Sequence, residues 1–358
     1  MKDCAMEQAK LKQGRGVIER FREFLPPCKA VVSLGEGNTP LVFSPKLSKR
    51  VGRGCQVLIK NEGVNPTCSF KDRGMTVAVS CAIDCGARAL ICASTGNTSA
   101  SAAAYAARAG IPCAVVLPAG KTATGKLIQA FAHGAKVIPI DGNFDDALRI
   151  VRELGEGNEF AIVNSINPDR IAGQKTAAFE IIDELGDAPD FHLLPVGNAG
   201  NITAYWAGYR EYRDRGKSKT LPAMIGFQAA GAAPIFRNRV VENPETIASA
   251  IRIGNPASWK QARAAVDESK GDVDIVSDEE IMAAQSWLAS NEGIFVEPAS
   301  AASIAGLLKW AEKIPDESCI VCTVTGHGLK DPDSIQRRIS SLEPVPAKID
   351  KVRRALGF

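Results

Sequence analysis

The chain has 358 residues, of which 45% are hydrophobic and 23% charged, and its net charge is +3. This length allows one large domain or two, and the composition is ordinary for a globular enzyme. A charge this small, without any run of Lys or Arg, excludes binding to nucleic acid or anionic membrane through charge alone. No stretch approaches the roughly 20 apolar residues of a membrane span, and the N-terminal segment lacks the apolar core of a signal peptide. We therefore expect a cytoplasmic protein.

The ten cysteines do not form the pattern of a disulfide framework, because several lie inside apolar, strand-like runs where a reduced thiol packs as a small hydrophobic group. Cys319 and Cys322 match Cys-x-x-Cys, but they fall within a predicted strand. The redox motif instead needs a helix start to depress a thiol pKa. The three histidines show no metal-ligand spacing, so no metal site is predicted.

Apolar strand-like runs alternate with amphipathic or Ala-rich helical patterns along most of the chain. This alternation predicts an α/β fold with parallel-rich sheets flanked by helices. The region from Ala229 to Ser277 is rich in Gly, Pro and Asn and is predicted to be an irregular excursion. The predicted strands are Gln56–Lys60, Ala89–Ala93, Cys113–Leu117, Lys136–Ile140, Ala161–Asn164, His192–Pro195, Ala223–Gln228 and Cys319–Val324.

A lysine lies at the start of one predicted helix, Asp72–Cys85, between a Ser-Phe pair and Asp-Arg-Gly. Beside the apolar Phe70, Lys71 is expected to lose part of its hydration, which lowers the pKa of an amine. A neutral amine condenses with an aldehyde, as the Schiff-base lysine of a pyridoxal phosphate (PLP) enzyme does. A solvated helix end is the alternative interpretation of this segment.

Three segments share one layout, in which a buried strand is followed by a short polar loop and then a helix. Free N–H groups and the positive end of a helix form an anion site at such a loop. Helix capping explains any one of them equally well, whereas three loops near one reactive lysine indicate a ligand with several anionic groups. The loops are Ser94–Ser99, Asn164–Arg170 and Gly197–Asn201.

Two further features follow predicted strands. Thr325 comes directly after the last strand, and its hydroxyl could hydrogen-bond a neutral pyridine nitrogen, although capping or turn formation explains it equally well. The segment from Gly120 to Lys126 fits the Gly-x-x-x-x-Gly-Lys pattern of a nucleotide-binding loop. The next residue is Leu127, so the hydroxyl that would bind Mg²⁺ is missing and nucleotide binding is not predicted.

With these pieces in order, the chain resembles the threonine synthases of the PLP fold-type II (tryptophan synthase beta-like) family over nearly its whole length. Cys68 is a departure, because the family usually has Gly before this Ser-Phe-Lys. The matching segments are Leu34-Gly-Glu-Gly-Asn-Thr-Pro-Leu41, Ser69-Phe-Lys-Asp-Arg-Gly74, Ser94-Thr-Gly-Asn-Thr98, Gly197-Asn-Ala-Gly-Asn201, Ile251-Arg-Ile-Gly-Asn-Pro-Ala-Ser-Trp259, Val296-Glu-Pro-Ala-Ser-Ala-Ala-Ser303 and Thr325-Gly-His-Gly-Leu-Lys-Asp-Pro332.

The resemblance implies a PLP-dependent β,γ-elimination and replacement that converts O-phospho-L-homoserine and water to L-threonine and phosphate. By analogy, Lys71 would hold PLP and then act as the acid-base group at the substrate α- and β-carbons. Asn97 would hydrogen-bond the 3′-oxygen of PLP, and Thr325 its pyridine nitrogen. The PLP phosphate would lie on the loop Gly197, Asn198, Ala199, Gly200 and Asn201. Thr95 and Thr98 would bind the substrate carboxylate. The substrate phosphate would contact Ser165, Asn167 and Arg170, and Ser94 or Thr98 would lie nearby.

The resemblance also implies two domains with the active site in the cleft between them, and a homodimer. Residues 53–145 would form a smaller inserted domain that carries the lysine, and residues 1–52 and 146–358 the larger domain that binds the PLP phosphate. Two alternatives stay open at this point. One is a related PLP enzyme, such as a phosphoserine-dependent β-replacement enzyme or a threonine dehydratase, and the other is a non-catalytic protein that binds PLP or phosphate.

Overall fold

The strands form two separate sheets in the computed structural model, which describes residues 16–94, 96–119, 127–157, 159–336 and 344–357. The larger sheet has the order β1-β2-β10-β7-β8-β9 and the smaller one β5-β4-β3-β6. All neighbours pair in parallel except β1 with β2, so the predicted α/β class is confirmed. The strands are β1 Leu41–Phe43, β2 Gln56–Asn61, β3 Ala89–Ala93, β4 Cys113–Pro118, β5 Lys136–Ile140, β6 Phe160–Ile162, β7 Phe191–Pro195, β8 Ala223–Ala229, β9 Asp272–Val276 and β10 Cys319–Val324.

Helices cover both faces of the sheets, and apolar side chains from strands and helices form the core between them. In the described ranges, none of the helices is long and apolar enough to span a membrane. The α-helices are α1 Val17–Arg20, α2 Pro45–Val51, α3 Lys71–Asp84, α4 Asn97–Ala109, α5 Ile128–Ala132, α6 Phe144–Leu154, α7 Pro168–Gln174, α8 Thr176–Leu185, α9 Gly200–Asp214, α10 Pro234–Arg237, α11 Trp259–Glu268, α12 Asp278–Trp287, α13 Pro298–Trp310, α14 Asp333–Gln336 and α15 Ile349–Ala355. Short 3₁₀ or π turns lie at Arg22–Phe24, Glu62–Val64, Ser249–Ile251, Leu288–Glu292, Ala311–Lys313 and Gly328–Lys330.

Each predicted strand has a counterpart within a few residues, but two observed strands were missed. β1 is only three residues long and pairs antiparallel with β2 at the edge of the larger sheet. β9 lies at the other edge and alternates Asp with Val or Ile, so it lacks the continuous apolar run of a central parallel strand. The prediction that 229–277 is irregular was wrong in part, because α10, α11 and β9 lie within this region.

Sheet membership differs from the predicted domain boundaries at both ends. β2 falls in the segment predicted as the inserted domain, yet it pairs with β10 inside the larger sheet. β6 falls in the segment predicted as the larger domain, yet it pairs with β3 of the smaller sheet. The segment that builds the smaller sheet therefore begins after β2 and extends through β6. The division into two domains itself stays a prediction.

Helix α3, which begins with Lys71, lies unusually close to α7. A Cβ atom at Gly74 would lie 2.6 Å from the carbonyl oxygen of Arg170, and one at Gly173 would lie 2.0 Å from the carbonyl oxygen of Arg73. Glycine at both positions therefore lets the two backbones touch. This contact places Arg170, on α7, beside the first turn of the helix that carries the lysine.

Candidate active site

A cavity of about 390 Å³ lies where the carboxyl ends of strands from both sheets meet. The loops after β3, β7 and β10 all contribute to its walls, as expected for a ligand site in an open parallel sheet. Most residues predicted from the sequence line it: Lys71, Ser94, Asn97, Thr98, Ser165, Gly197, Asn198, Ala199, Gly200, Asn201 and Thr325. The predicted Thr95 lies outside the described residues, as does the segment from Gly120 to Lys126.

Lys71 lies in the cavity wall with its ammonium nitrogen 4.2 Å from the centre of the Phe70 ring. The backbone N–H of Phe70 donates to the carbonyl oxygen of Thr325 at 3.0 Å, which fixes the lysine segment against the end of β10. Burial and, second, the positive charge of Arg170 lower the pKa of Lys71 to about 7, while Glu297 opposes this shift. A large share of Lys71 is therefore the neutral, nucleophilic amine near neutral pH.

The loop from Gly197 to Asn201 turns directly into helix α9. Ala199 has the left-handed φ of +65°, and this conformation brings the chain from β7 into the helix in a single tight turn. The Asn201 side-chain amide donates to the carbonyl oxygen of Pro195 at 2.6 Å, which holds the two ends of the loop together. The first turn of an α-helix presents N–H groups without helical partners, so this loop suits an anion.

Helix α4 begins at Asn97 on the opposite wall, directly after β3. The N–H of Gly96 donates to the hydroxyl of Ser94 at 3.3 Å, and Thr98 is largely buried in the first turn. The side chain of Asn164 exchanges two hydrogen bonds with the backbone of Ala93, at 2.9 and 3.0 Å. Asn164 also lines the cavity, so the predicted loop after β6 contributes an amide that the sequence did not single out.

Arg170 is fully buried, yet most of its guanidinium lacks a partner. One nitrogen donates to the carbonyl oxygen of Val163 at 3.0 Å, whereas Nε and the second terminal nitrogen have no hydrogen-bond partner in the described part of the chain. Burial lowers the pKa of Arg170 to about 10, which leaves it a cation at neutral pH. Burying an unpaired charge is costly, so these two nitrogens are donors suited to an anion. Arg170 lies behind the residues that line the cavity and is not itself part of the lining.

The structure does not bring Asn167 to the cavity. It is the N-cap of α7: its side-chain oxygen accepts from the N–H of Asp169 at 2.8 Å, and its amide donates to the carbonyl oxygen of Ile162 at 2.9 Å. It lines a different cavity, between α3 and α7, together with Ile166 and Asp169. Asn167 therefore caps the start of the helix that carries Arg170, and its expected contact with the substrate stays a prediction.

Sequence reasoning missed Glu297 and Lys330, which line the same cavity. The Asn97 amide donates to the two carboxylate oxygens of Glu297 at 2.9 and 3.2 Å. The ammonium group of Lys330 donates to the carbonyl oxygen of Thr67 at 3.0 Å. Both residues lie inside segments quoted for the family resemblance, but no local pattern distinguished them from an ordinary helix cap or a solvated lysine.

Comparison with known proteins places this site in a class. A family model described as "Pyridoxal-phosphate dependent enzyme" matches residues 32–326. The chain belongs to this family, whose cofactor is pyridoxal phosphate. Its fold is shared with threonine deaminase isoform 2 from Solanum lycopersicum, with a TM-score of 0.70, 24% identity and coverage of 84% of this chain and 87% of that one. A cysteine synthase from Entamoeba histolytica gives a TM-score of 0.73 at 22% identity, covering 90% and 94% of the two chains. The predicted fold type II is thus confirmed.

Within the family, the chain is most informatively compared with threonine synthases. It is 58% identical to that of Mycobacterium tuberculosis (strain ATCC 25618 / H37Rv) over 348 residues, which cover 96% of each protein. It is 55% identical to that of Synechocystis sp. (strain ATCC 27184 / PCC 6803 / Kazusa), covering 96% of this chain and 91% of the relative. The threonine synthase of Methanocaldococcus jannaschii is 52% identical, over 98% and 89% of the two proteins. These relatives confirm the resemblance seen in the sequence.

Proposed function

We propose that this chain is a threonine synthase that converts O-phospho-L-homoserine and water to L-threonine and phosphate. The identity with threonine synthases over nearly the whole chain supports the reaction. The observation that supports this substrate is the buried guanidinium of Arg170, which lies beside the lysine helix and has two nitrogens without hydrogen-bond partners. A guanidinium with two free donors can hold a phosphate through paired charge-assisted hydrogen bonds.

The residues present fit the cofactor. The lowered pKa of Lys71 suits covalent attachment of an aldehyde, and the first turn of α9 with the loop Gly197–Asn201 suits the cofactor phosphate. The hydroxyl of Thr325 would donate a hydrogen bond to the neutral pyridine nitrogen, and the amide of Asn97 would donate to the 3′-oxygen. When bound, PLP supplies the electron sink that makes loss of a proton from the substrate α-carbon feasible.

Lys71 is the residue that moves protons in this proposal. Its free amine would remove the proton at the α-carbon and then one at the β-carbon. The second removal allows phosphate to leave from the γ-carbon, and Lys71 would then return a proton at that carbon. Water next adds its hydroxyl at the β-carbon, its remaining proton goes to the released phosphate, and a proton returned at the α-carbon completes threonine. Lys71 is suited to this sequence because a pKa of about 7 lets it both accept and donate a proton near neutral pH.

Residues in and beside the cavity would bind and orient the substrate. By the resemblance, Thr95 and Thr98 would hold the substrate carboxylate, and Ser94 would lie near the substrate phosphate. Ser165 and Arg170 would hold that phosphate, and Asn167 starts the helix that carries Arg170. This division keeps two anionic groups apart, each on its own set of donors, which orients the α-carbon toward Lys71.

Phosphate release and threonine formation from O-phosphohomoserine by the PLP-loaded protein test the proposal directly. Both products are expected together, and both should disappear in Lys71→Ala. The Arg170→Met variant is expected to fold and bind PLP but to lose about a hundredfold in kcat/KM, as for a buried charged contact. The exposed Arg149→Met, which removes the same charge from the surface of α6, should leave kcat/KM unchanged.

The same assay separates the alternatives. A threonine dehydratase would act on threonine. Because threonine carries no phosphate, Arg170→Met would reduce that activity far less than it reduces activity on O-phosphohomoserine. A β-replacement enzyme would instead consume phosphoserine. A folded, PLP-loaded protein that turns over none of the three substrates would favour the non-catalytic alternative.

We further propose, on the resemblance alone, that the protein is a cytoplasmic homodimer with two domains. The smaller domain would be built around β3–β6 and the larger around the other strands. Light scattering of the purified protein gives the number of subunits. Fluorescence microscopy of a tagged chain in its native cell gives the compartment, and limited proteolysis tests the domain division.

A further inference from the structure

The N-cap residue of α13 binds a side chain on another helix instead of capping its own. Glu297 occupies the N-cap position, and Pro298 follows it, but its side chain makes no capping hydrogen bond. The carboxylate lies instead on the Asn97 amide, with the nitrogen 2.9 Å from one oxygen and 3.2 Å from the other. This contact joins residues 200 positions apart in the chain. It connects α4, which packs on the smaller sheet, with α13, which packs on the larger one.

The chemistry of the two groups fixes the direction of the amide. A carboxylate only accepts hydrogen bonds, so it holds the nitrogen end of Asn97 toward itself and repels the oxygen end. An amide nitrogen carries two hydrogens, and Glu297 occupies one direction. The second hydrogen remains for an acceptor in the cavity that Asn97 and Glu297 both line.

The Glu297 carboxylate packs against Gly326, where any side chain would collide with it. A Cβ atom at Gly326 would lie 2.6 Å from an oxygen of Glu297. The backbone N–H of Glu297 also donates to the carbonyl oxygen of Gly326 at 3.1 Å. One turn later, the hydroxyl of Ser300 accepts from the N–H groups of Thr325 and Gly326, at 3.0 and 2.8 Å, and lies 2.9 Å from the Thr325 hydroxyl. The first turn of α13 thus holds both Asn97 and Thr325.

We propose that Glu297 is a positioning residue that holds the Asn97 amide with its second N–H directed at the cofactor, and that places a negative charge beside Lys71. This inference rests on the proposed function, which gives Asn97 and Lys71 their contacts with PLP. It assigns to Glu297 no contact of its own with the substrate. The carboxylate acts through its two neighbours.

The electrostatic surroundings determine the pH range of this role. Burial raises the pKa of Glu297 to about 7, against the lowering effects of Lys330, Asn97 and Lys71; Asp331 adds to the rise. The carboxylate form that holds Asn97 therefore predominates above about pH 7. In return, the charge of Glu297 raises the pKa of Lys71, against the lowering effects of burial and Arg170. Removing this one negative charge should therefore lower the pKa of Lys71 further.

A double-mutant cycle tests the contact through the dissociation constant of PLP, measured by the visible absorbance of the bound cofactor. Glu297→Ala and Asn97→Ala are each expected to weaken binding by about tenfold or more, as for a hydrogen bond to a charged group. The double variant should be no weaker than Asn97→Ala alone, because Glu297 acts through Asn97. Glu297→Gln keeps an acceptor oxygen and should recover most of the affinity, and the exposed Glu312→Gln is the matched control.

A second readout follows the charge. The rate at which the cofactor-free protein takes up PLP should rise with pH as Lys71 becomes neutral. The midpoint of this rise should move to lower pH in Glu297→Gln but stay in place in Glu312→Gln. A purely structural role for Glu297 would leave the midpoint of the isosteric Gln variant unchanged.

Several outcomes would overturn the inference. They are additive losses in the cycle, an affinity of Glu297→Ala equal to that of the Glu312→Gln control, or an unshifted midpoint in Glu297→Gln. Because all readouts use PLP without substrate, they stand apart from the proposed reaction. If the double-mutant cycle shows the expected coupling but no threonine forms, the proposed substrate is refuted. If threonine forms but Glu297 and Asn97 show no coupling in PLP binding, the role of Glu297 is refuted.

Discussion

Arg73 lies on the helix that carries the lysine and forms buried ion pairs with residues outside this helix. Its replacement tests how much these ion pairs stabilise the fold. Its guanidinium donates to both oxygens of Glu62, at 2.7 and 2.8 Å, and to Glu180 at 2.6 Å. Lys60 also donates to Glu180, at 2.9 Å. All four side chains are buried, so the charges have little access to solvent. The network joins β2, α3 and α8, and Arg73 lies two residues after Lys71 on α3.

Arg73→Met keeps most of the side-chain volume and leaves two buried carboxylates without their main partner. Removing one member of a buried ion pair costs about 3–5 kcal/mol, mostly from the charge left behind. Part of this cost is offset because Glu180 keeps Lys60 and Arg20, and Glu62 keeps the hydroxyl of Thr39. We expect a loss of about 3 kcal/mol in the free energy of unfolding at neutral pH, at the lower end of that range.

The loss should depend on pH in a definite direction. Burial alone would raise the pKa of Glu62, but Arg73 holds it below its usual value, and the pKa of Glu180 is lowered in the same way. Such groups contribute stability above the unfolded-state pKa of about 4.3, and this contribution is lost as pH falls through the folded-state pKa. Without Arg73, less positive charge offsets the effect of burial, so the pKa of Glu62 rises. The contribution of Glu62 to the free energy of unfolding then falls as pH rises. The deficit of the variant should therefore grow from acid to neutral pH.

Urea unfolding of the cofactor-free protein at about pH 5 and about pH 8 measures this deficit without a contribution from PLP binding. Arg149→Met is the matched control, because Arg149 makes only exposed pairs and should cost about 0–1 kcal/mol. A cost for Arg73→Met no larger than the control, or a cost equal at the two pH values, would refute the assignment of stability to the buried network.

Two further predictions concern the segment that carries the lysine. Cys68 has a left-handed φ of +65°, so Cys68→Gly should relieve backbone strain and raise the free energy of unfolding by up to about 1 kcal/mol, after allowance for the flexibility of the unfolded chain. Cys85→Gly, at an exposed position with φ −81°, should instead lower it, and the reverse order of the two variants in urea unfolding would contradict the strain argument. Lys71 should give PLP uptake by the cofactor-free protein a midpoint near pH 7, since its pKa is about 7 and only the neutral amine reacts. A midpoint near the ordinary lysine value would show that neither burial nor Arg170 acts on the amine.

The sequence predicted the parts of the site that local pattern controls. A strand, a short polar loop and a helix start form one continuous signal, and Lys71, Asn97 and the loop Gly197–Asn201 all line one cavity as expected. Thr325 was identified in the same way, from its place at the end of a buried strand. Parallel strands bring their carboxyl ends to one edge of a sheet, so local signals of this kind converge without further information.

The features that local pattern did not reveal depend on contacts between distant segments or on the particular use of a side chain. Glu297 meets Asn97 only because two helices on different sheets face each other, and nothing within its own segment indicates this. Asn167 carries the same local signal as a ligand-binding amide, but both ends of its side chain are used at the start of α7. The edge strand β9 was missed because its alternating Asp residues lack the continuous apolar run of the central strands.

The placement of Arg170 has a consequence for the order of events in the proposed reaction. In the absence of an anion, its unpaired charge lowers the pKa of Lys71, which favours the neutral amine needed to attach the cofactor. A phosphate bound to Arg170 would neutralise that charge and remove its effect on the lysine. The pKa of Lys71 then rises, and the free amine becomes a stronger base at the moment when the substrate presents its α-proton. In the proposed reaction, the charge of Arg170 would therefore favour cofactor attachment before the substrate phosphate binds and proton removal afterwards. A substrate without the phosphate would leave Lys71 the weaker base.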